Sequence, residues 1–144
     1  MKKEKVVAVS GGFDPVHIGH IRLLKEAKAL GDKLVVILND DNFLKRKKGY
    51  VFMPQDERKE ILESIKYVDR VVAAIDEDLS VNKTLEMLKP DIFANGGDRK
   101  TEGDILEHET CKRLGIKMVF GVGGYEKPRS STSLVREVIS RDSK

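Results

Sequence analysis

Short runs rich in β-branched and apolar residues alternate along the chain with longer segments whose apolar residues recur at helical period. This alternation restricts the chain to a parallel sheet covered by helices. The runs are Val6 to Ser10, Leu34 to Asn39, Val68 to Ala74, Asp91 to Asn95 and Lys117 to Gly121. They lack the polar alternation of strands with one wet face, so both faces of the sheet are expected to be covered. Gly19 to Leu30 sets Ile21, Leu24, Ala27 and Leu30 near one helical face, and Gly31 closes it. Gln55 to Ile65 follows Pro54, a good first-turn residue, and carries Ile61, Leu62 and Ile65 as its stripe. Ser80 to Leu88 starts at a capping-type serine and stops before Pro90, Asp104 to Leu114 ends at Gly115, and a last helix is predicted from Thr132 to Ser140. Right-handed crossovers then favour the strand order 3-2-1-4-5.

A Rossmann-like, doubly wound α/β domain of this kind binds its ligands outside the carboxyl ends of the strands, where the order reverses. That point lies between the first and fourth strands, so the loops Gly11 to Gly19 and Asn95 to Arg99 are expected to face one another across a crevice. The 144 residues fit a single domain, 1–144, and 40% hydrophobic with 35% charged residues supply both a core and a soluble surface. With 27 basic against 24 acidic residues the chain is too balanced to coat nucleic acid, so any anion site must be local. Cys111 is the single cysteine, which excludes an internal disulfide. No apolar run approaches the roughly 20 residues that span a bilayer. The expectation is a cytoplasmic protein with neither membrane nor nucleic-acid partner.

The loop after the first strand carries the densest chemistry. Gly11-Gly12 lets the backbone approach a ligand, and the helix start that follows offers N–H groups to an anion. His17 and His20, three residues apart around Gly19, can present both imidazoles to that anion. A zinc reading is weaker, because the pair lacks the i, i+4 spacing of helical ligands and no cysteine or acidic cluster completes it. The run Lys45-Arg46-Lys47-Lys48-Gly49, after Asn39-Asp40-Asp41, reads as a basic loop at a strand's carboxyl end, either solvated surface or a lid over phosphates.

Four segments in order, Gly11 to His20, Met53 to Asp69, Lys89 to Asp98 and Ser130 to Ser133, make the chain resemble the HxGH nucleotidyltransferase superfamily. The resemblance is strongest to its glycerol-3-phosphate cytidylyltransferase and heptose-phosphate adenylyltransferase branches. It implies attack of an acceptor phosphate on the α-phosphate of a nucleoside triphosphate, with pyrophosphate released and Mg²⁺ carried on the phosphates without direct protein ligands. It further implies that His17, His20 and Lys47 are catalytic, with Lys45 the second choice for the lysine. Gly11, Gly12, Phe13, Gly19, Gly97, Asp98, Ser131, Thr132 and Arg136 would bind the nucleotide, with Arg129 a possible neighbour, and Asp41, Lys45 and Arg58 would bind the acceptor. Without the resemblance, Arg58 reads as a surface ion pair, Asp98 as a turn aspartate, and Ser131-Thr132 as a helix cap. A homodimer is likewise an implication of the resemblance alone.

The departures are informative. Gly11-Gly12-Phe13-Asp14-Pro15 replaces the Gly-Thr-Phe-Asp of glycerol-phosphate cytidylyltransferases, Lys66 stands where they often have arginine, and Gly97-Asp98-Arg99 is nearer the heptose-phosphate type. CTP and ATP therefore both stay open, as does the acceptor, a sugar or polyol phosphate by resemblance. Two other readings compete with an enzyme: a non-catalytic nucleotide sensor of the same fold, and a nucleic-acid module using Lys45 to Lys48. The second is thin, because a single basic loop without interleaved aromatics is a poor nucleic-acid surface.

Overall fold

A computed structural model describes residues 4–96 and 106–123. The elements run β1 (Val6–Gly11), α1 (Ile18–Lys28), β2 (Lys33–Leu38), α2 (Asp41–Lys48), α3 (Gln55–Glu63), β3 (Arg70–Ala73), α4 (Asn82–Leu88), β4 (Ile92–Gly96), α5 (His108–Leu114) and β5 (Lys117–Val122). The strands form one sheet in the order β3-β2-β1-β4-β5, and every pair is parallel. The switch point therefore lies between β1 and β4, as the sequence pattern required.

Successive strand residues point to opposite faces, and each face has its own helices. Val7 and Val9 of β1, with Leu34, Val36 and Leu38 of β2, pack on one side with Leu24 and Ala27 of α1 and Leu62 of α3. Ala8, Ile37 and Phe93 face the other way, against Leu85 of α4 and Cys111 of α5. At the amino end of the sheet, carboxylates receive the first strand amides: Lys5 N–H donates to Asp32 at 2.7 Å, Val6 N–H to Asp91 at 2.8 Å and Leu34 N–H to Asp69 at 2.8 Å. The carboxyl end of the sheet is left to the loops.

Several boundaries move. The first helix ends at Lys28 rather than Leu30, α3 stops at Glu63 rather than Ile65, and the fourth begins at Asn82. Ser80 serves α4 only in part. Its Oγ accepts from Asn82 N–H at 3.2 Å, whereas the buried Asp76 takes Lys83 and Thr84 N–H at 2.6 and 3.1 Å. The segment Asp104 to Leu114 is helical from His108; 104 and 105, like the helix expected from Thr132 to Ser140, lie outside the described residues.

The larger correction concerns the basic run, which is not a loop. Asp41–Lys48 is helix α2, capped by Asp40, whose carboxylate accepts from Phe43 N–H at 2.7 Å, and stopped by Gly49 at φ 84°. Four basic residues in its last turn suit the negative end of the helix dipole.

Cys111 is fully buried between α5 and the sheet, and burial, with a smaller contribution from the Glu107 carboxylate, pushes its thiol up to about 11. The native protein should therefore resist alkylation by iodoacetamide at about pH 8 and label only after unfolding. Rapid labelling of the folded chain would contradict this packing.

Candidate active site

β1 ends at Gly11, and the chain turns at once. Both glycines are closely approached: a Cβ on Gly11 would lie 3.0 Å from the Phe13 ring, and one on Gly12 would lie 2.6 Å from Leu44 Cδ2 of α2, so a side chain at either position would have to displace these neighbours. Phe13 sits at φ 50°, unusual for a side chain with a Cβ, and its buried ring meets that of His20 edge-on with centroids 4.8 Å apart. Helix α2 and the loop thus shape each other.

His17 is the N-cap of α1, and His20 is its third residue. Gly19 N–H donates to His17 Nδ1 at 3.1 Å, and His17 N–H donates to His20 Nδ1 at 3.2 Å. This is a reciprocal capping box built from two imidazoles in place of the usual hydroxyl and carboxylate. The rings stack with centroids 3.9 Å apart at 26°. A backbone N–H can be received only by a nitrogen lone pair, so each ring proton is placed on Nε2. Capping therefore fixes both the orientation and the tautomer. It also corrects the expectation of open amides at this helix start, since Gly19 N–H is taken by His17.

Asp14, 1% exposed, anchors the next layer. Its carboxylate accepts from Phe52 N–H at 2.7 Å and Met53 N–H at 2.6 Å. Lys48 Nζ lies 3.3 Å from that carboxylate and donates to the Asp14 carbonyl at 2.9 Å. Arg58 completes the frame from behind. Its Nε donates to Met53 O at 2.9 Å, its Nη1 to Gly12 O at 2.7 Å and Asn39 O at 2.8 Å, and its Nη2 to Asp41 at 2.7 Å.

With 0% exposure and those partners, Arg58 is neither the surface ion pair nor the acceptor contact expected of it. It is a positioning residue that ties β2, α2 and the segment before α3 to the glycine loop. Its ion-pair partner is Asp41, whose side chain is 39% exposed.

The α2 lysines are sorted by helical period. Lys45 and Lys47 are two residues apart and so point to different sides of the helix. Lys47 Nζ lies over the Phe43 ring at 5.6 Å, while Lys48, one turn beyond Leu44, is the lysine that reaches the loop. Sequence reading missed Lys48 and Asp14; the signal for Lys48 was its i+4 spacing from Leu44 once Asp40 and Gly49 are read as caps. It also missed Asn39, buried at the end of β2, whose Oδ1 has no hydrogen-bond partner. Gly97, Asp98, Arg99, Arg129, Ser131, Thr132 and Arg136 lie outside the described residues.

The family sequence model described as Cytidylyltransferase-like matches residues 8–138, which takes in both the glycine loop and the strand that faces it. The chain belongs to this family. Among its cytidylyltransferase-like relatives, an FAD synthase of Pyrococcus horikoshii is 36% identical over 137 residues, covering 93% of this chain and 91% of that protein. A bifunctional protein HldE of Citrifermentans bemidjiense is 36% identical over 141 residues, 95% of this chain but 28% of the larger protein. In three dimensions the chain is similar to a lipopolysaccharide core biosynthesis protein of Thermoplasma volcanium, with a TM-score of 0.73 at 32% identity over 86% of this chain and 100% of that one. The nucleotidyltransferase character is that of the family, and the Rossmann-like fold with its five-stranded parallel sheet matches that solved neighbour. Among the described residues no helix is long and apolar enough to cross a membrane.

Proposed function

We propose that this protein is an adenylyltransferase that joins AMP from ATP to the phosphate of FMN and releases pyrophosphate. The reaction class rests on one observation: two stacked imidazoles at the start of α1, each accepting a backbone N–H through Nδ1, which leaves Nε2 of each ring as the donor. Two aligned neutral donors suit an in-line displacement at phosphorus. They stabilise charge developing on the phosphate oxygens without having to reorganise. The likeness to FAD synthase along most of both chains supports FMN as the acceptor.

An oxygen of the acceptor phosphate forms the new bond to the α-phosphorus, and the bond from that phosphorus to the α–β bridging oxygen breaks, its electron pair leaving on pyrophosphate. The acceptor is already anionic, so no side-chain nucleophile or base is required. His17 and His20 donate from Nε2 to oxygens of the α- and β-phosphates. Lys47 supplies charge from α2, and Lys45, on another side of the helix, serves the acceptor side with Asp41. Gly97, Asp98, Ser131, Thr132 and Arg136 are proposed to complete the nucleotide side.

Magnesium fits as an ion carried on the nucleotide. Asp14 and Asp40 are spent on backbone N–H groups and Asp41 on Arg58, and the described residues hold no cluster of three or more His, Cys, Asp or Glu arranged for a metal. Bound to the phosphates, Mg²⁺ would neutralise charge on the leaving pyrophosphate.

A second reading keeps the chemistry and replaces FMN with a sugar phosphate, favoured by the match of HldE to 95% of this chain. Pyrophosphate release should be measured with ATP and with CTP against FMN, a heptose phosphate and glycerol-3-phosphate. The proposal predicts turnover with ATP and FMN. Turnover confined to CTP, or to a sugar or polyol phosphate, would overturn it, and nucleotide binding without turnover on any acceptor would favour a sensor.

A further inference from the structure

We infer that Phe52 is the platform on which the ring of the acceptor lies, so that the site selects a phosphate carried on a flat aromatic system. The inference rests on the FMN reading above. Phe13, Phe43 and Phe93 are buried and the other described aromatics are at least partly so, whereas Phe52 is 50% exposed. Burying such a side chain is ordinarily favourable, and among the described phenylalanines and tyrosines Phe52 is the one left in the exposed class.

Its backbone is held from several sides. Phe52 and Met53 N–H donate to the two oxygens of the buried Asp14 carboxylate, Met53 O accepts from the buried Arg58, and Pro54 restricts the residue before it. An exposed ring on a loose loop would mean little. On a pinned backbone its place in the structure is set by folding, and only the side-chain rotamer is left to order on binding.

The pinning carboxylate also gives the location. Asp14 belongs to the same loop as His17, so Phe52 is tethered to the loop that leads into the phosphate cradle. FMN suits a platform set off from that cradle, because its ribityl arm carries the flavin ring away from the phosphate. Ile18, the first residue of α1 next to His17, is 49% exposed and leaves an apolar group open at that helix start. Lys48 Nζ, paired with the Asp14 carboxylate, lies over the Tyr50 ring at 4.8 Å and ties α2 to this segment. A sugar or polyol phosphate offers hydroxyls and no flat apolar face, and gains little from a phenyl ring so placed.

The test is a titration of FMN fluorescence with the parent protein, Phe52→Ala and Phe52→Trp, alongside steady-state kinetics. Stacking should quench the flavin on the parent. Phe52→Ala should weaken FMN binding and raise its KM roughly 10-fold, the scale of one lost aromatic stack, with the KM for ATP unchanged. Phe52→Trp should retain both quenching and KM. Because the side chain is exposed, thermal unfolding of Phe52→Ala should match the parent, which separates a lost contact from a lost fold. A parent that adenylylates FMN, with Phe52→Ala doing so at an unchanged KM, overturns the platform alone. A parent that adenylylates a sugar phosphate and ignores FMN overturns the acceptor assignment, and the platform with it.

Discussion

Replacing His17 and His20 by asparagine and glutamine together should lower kcat by about 10²–10³ or more while leaving the fold and ATP binding largely intact, since this is the scale of losing one preorganised donor at a developing charge. The choice of residues separates two roles. Asparagine is a strong N-cap, and glutamine at the third helical position closes a capping box. His17→Asn/His20→Gln therefore keeps acceptors for the N–H groups of Gly19 and His17 but removes both Nε2–H donors. Alanine at His17 should cost about 1 kcal/mol of stability in addition to the rate, through loss of the cap. The two single replacements should be less than multiplicative, because the rings hold each other in place. Kinetics together with thermal unfolding decide the matter. A double variant with parental kcat would remove the imidazoles from the mechanism, whereas one that fails to fold would show that the pair acts as a cap that asparagine and glutamine cannot replace.

Arg58→Ala should destabilise the protein by about 3–5 kcal/mol, the scale of breaking a buried, hydrogen-bonded ion pair. The loss strands the carbonyls of Gly12, Asn39 and Met53 in a buried position. Each carbonyl left without a donor adds its own desolvation penalty. Against a usual total of about 5–15 kcal/mol the variant would sit near the limit of folding. Arg58→Lys should recover only part of the loss, because a single ammonium cannot span acceptors that a planar guanidinium reaches in several directions. Urea unfolding of the three proteins gives the comparison. An Arg58→Ala variant within about 1 kcal/mol of the parent would contradict the role assigned here.

These two sites differ in how far the sequence disclosed them. His17 and His20 are close in the chain, and the strand, the glycines and the helix start that position them are all local, so their pairing could be read from spacing. That they cap their own helix, which sets their tautomer, depends on two hydrogen bonds that no spacing rule specifies. The sheet order was also legible, because five covered strands with right-handed crossovers admit few arrangements. Helix α2 was hidden. Lys45 to Lys48 overwhelms a short stripe of Phe43 and Leu44, and only Asp40 and Gly49 mark its ends. Arg58 and Asp14 were misread or passed over for another reason: their partners lie 5 to 46 and 34 to 39 residues away. An arginine on a polar-looking helix turn carries no local sign that the fold will bury it.

The central claim is that the two imidazoles serve transfer at the α-phosphate, and ATP labelled at that phosphate tests it most directly. Incubated with the protein, Mg²⁺ and FMN, the label should pass into the dinucleotide product while unlabelled pyrophosphate is released, and His17→Asn/His20→Gln should stop that transfer. Label retained in ADP, with the terminal phosphate moved to the acceptor, would contradict the account.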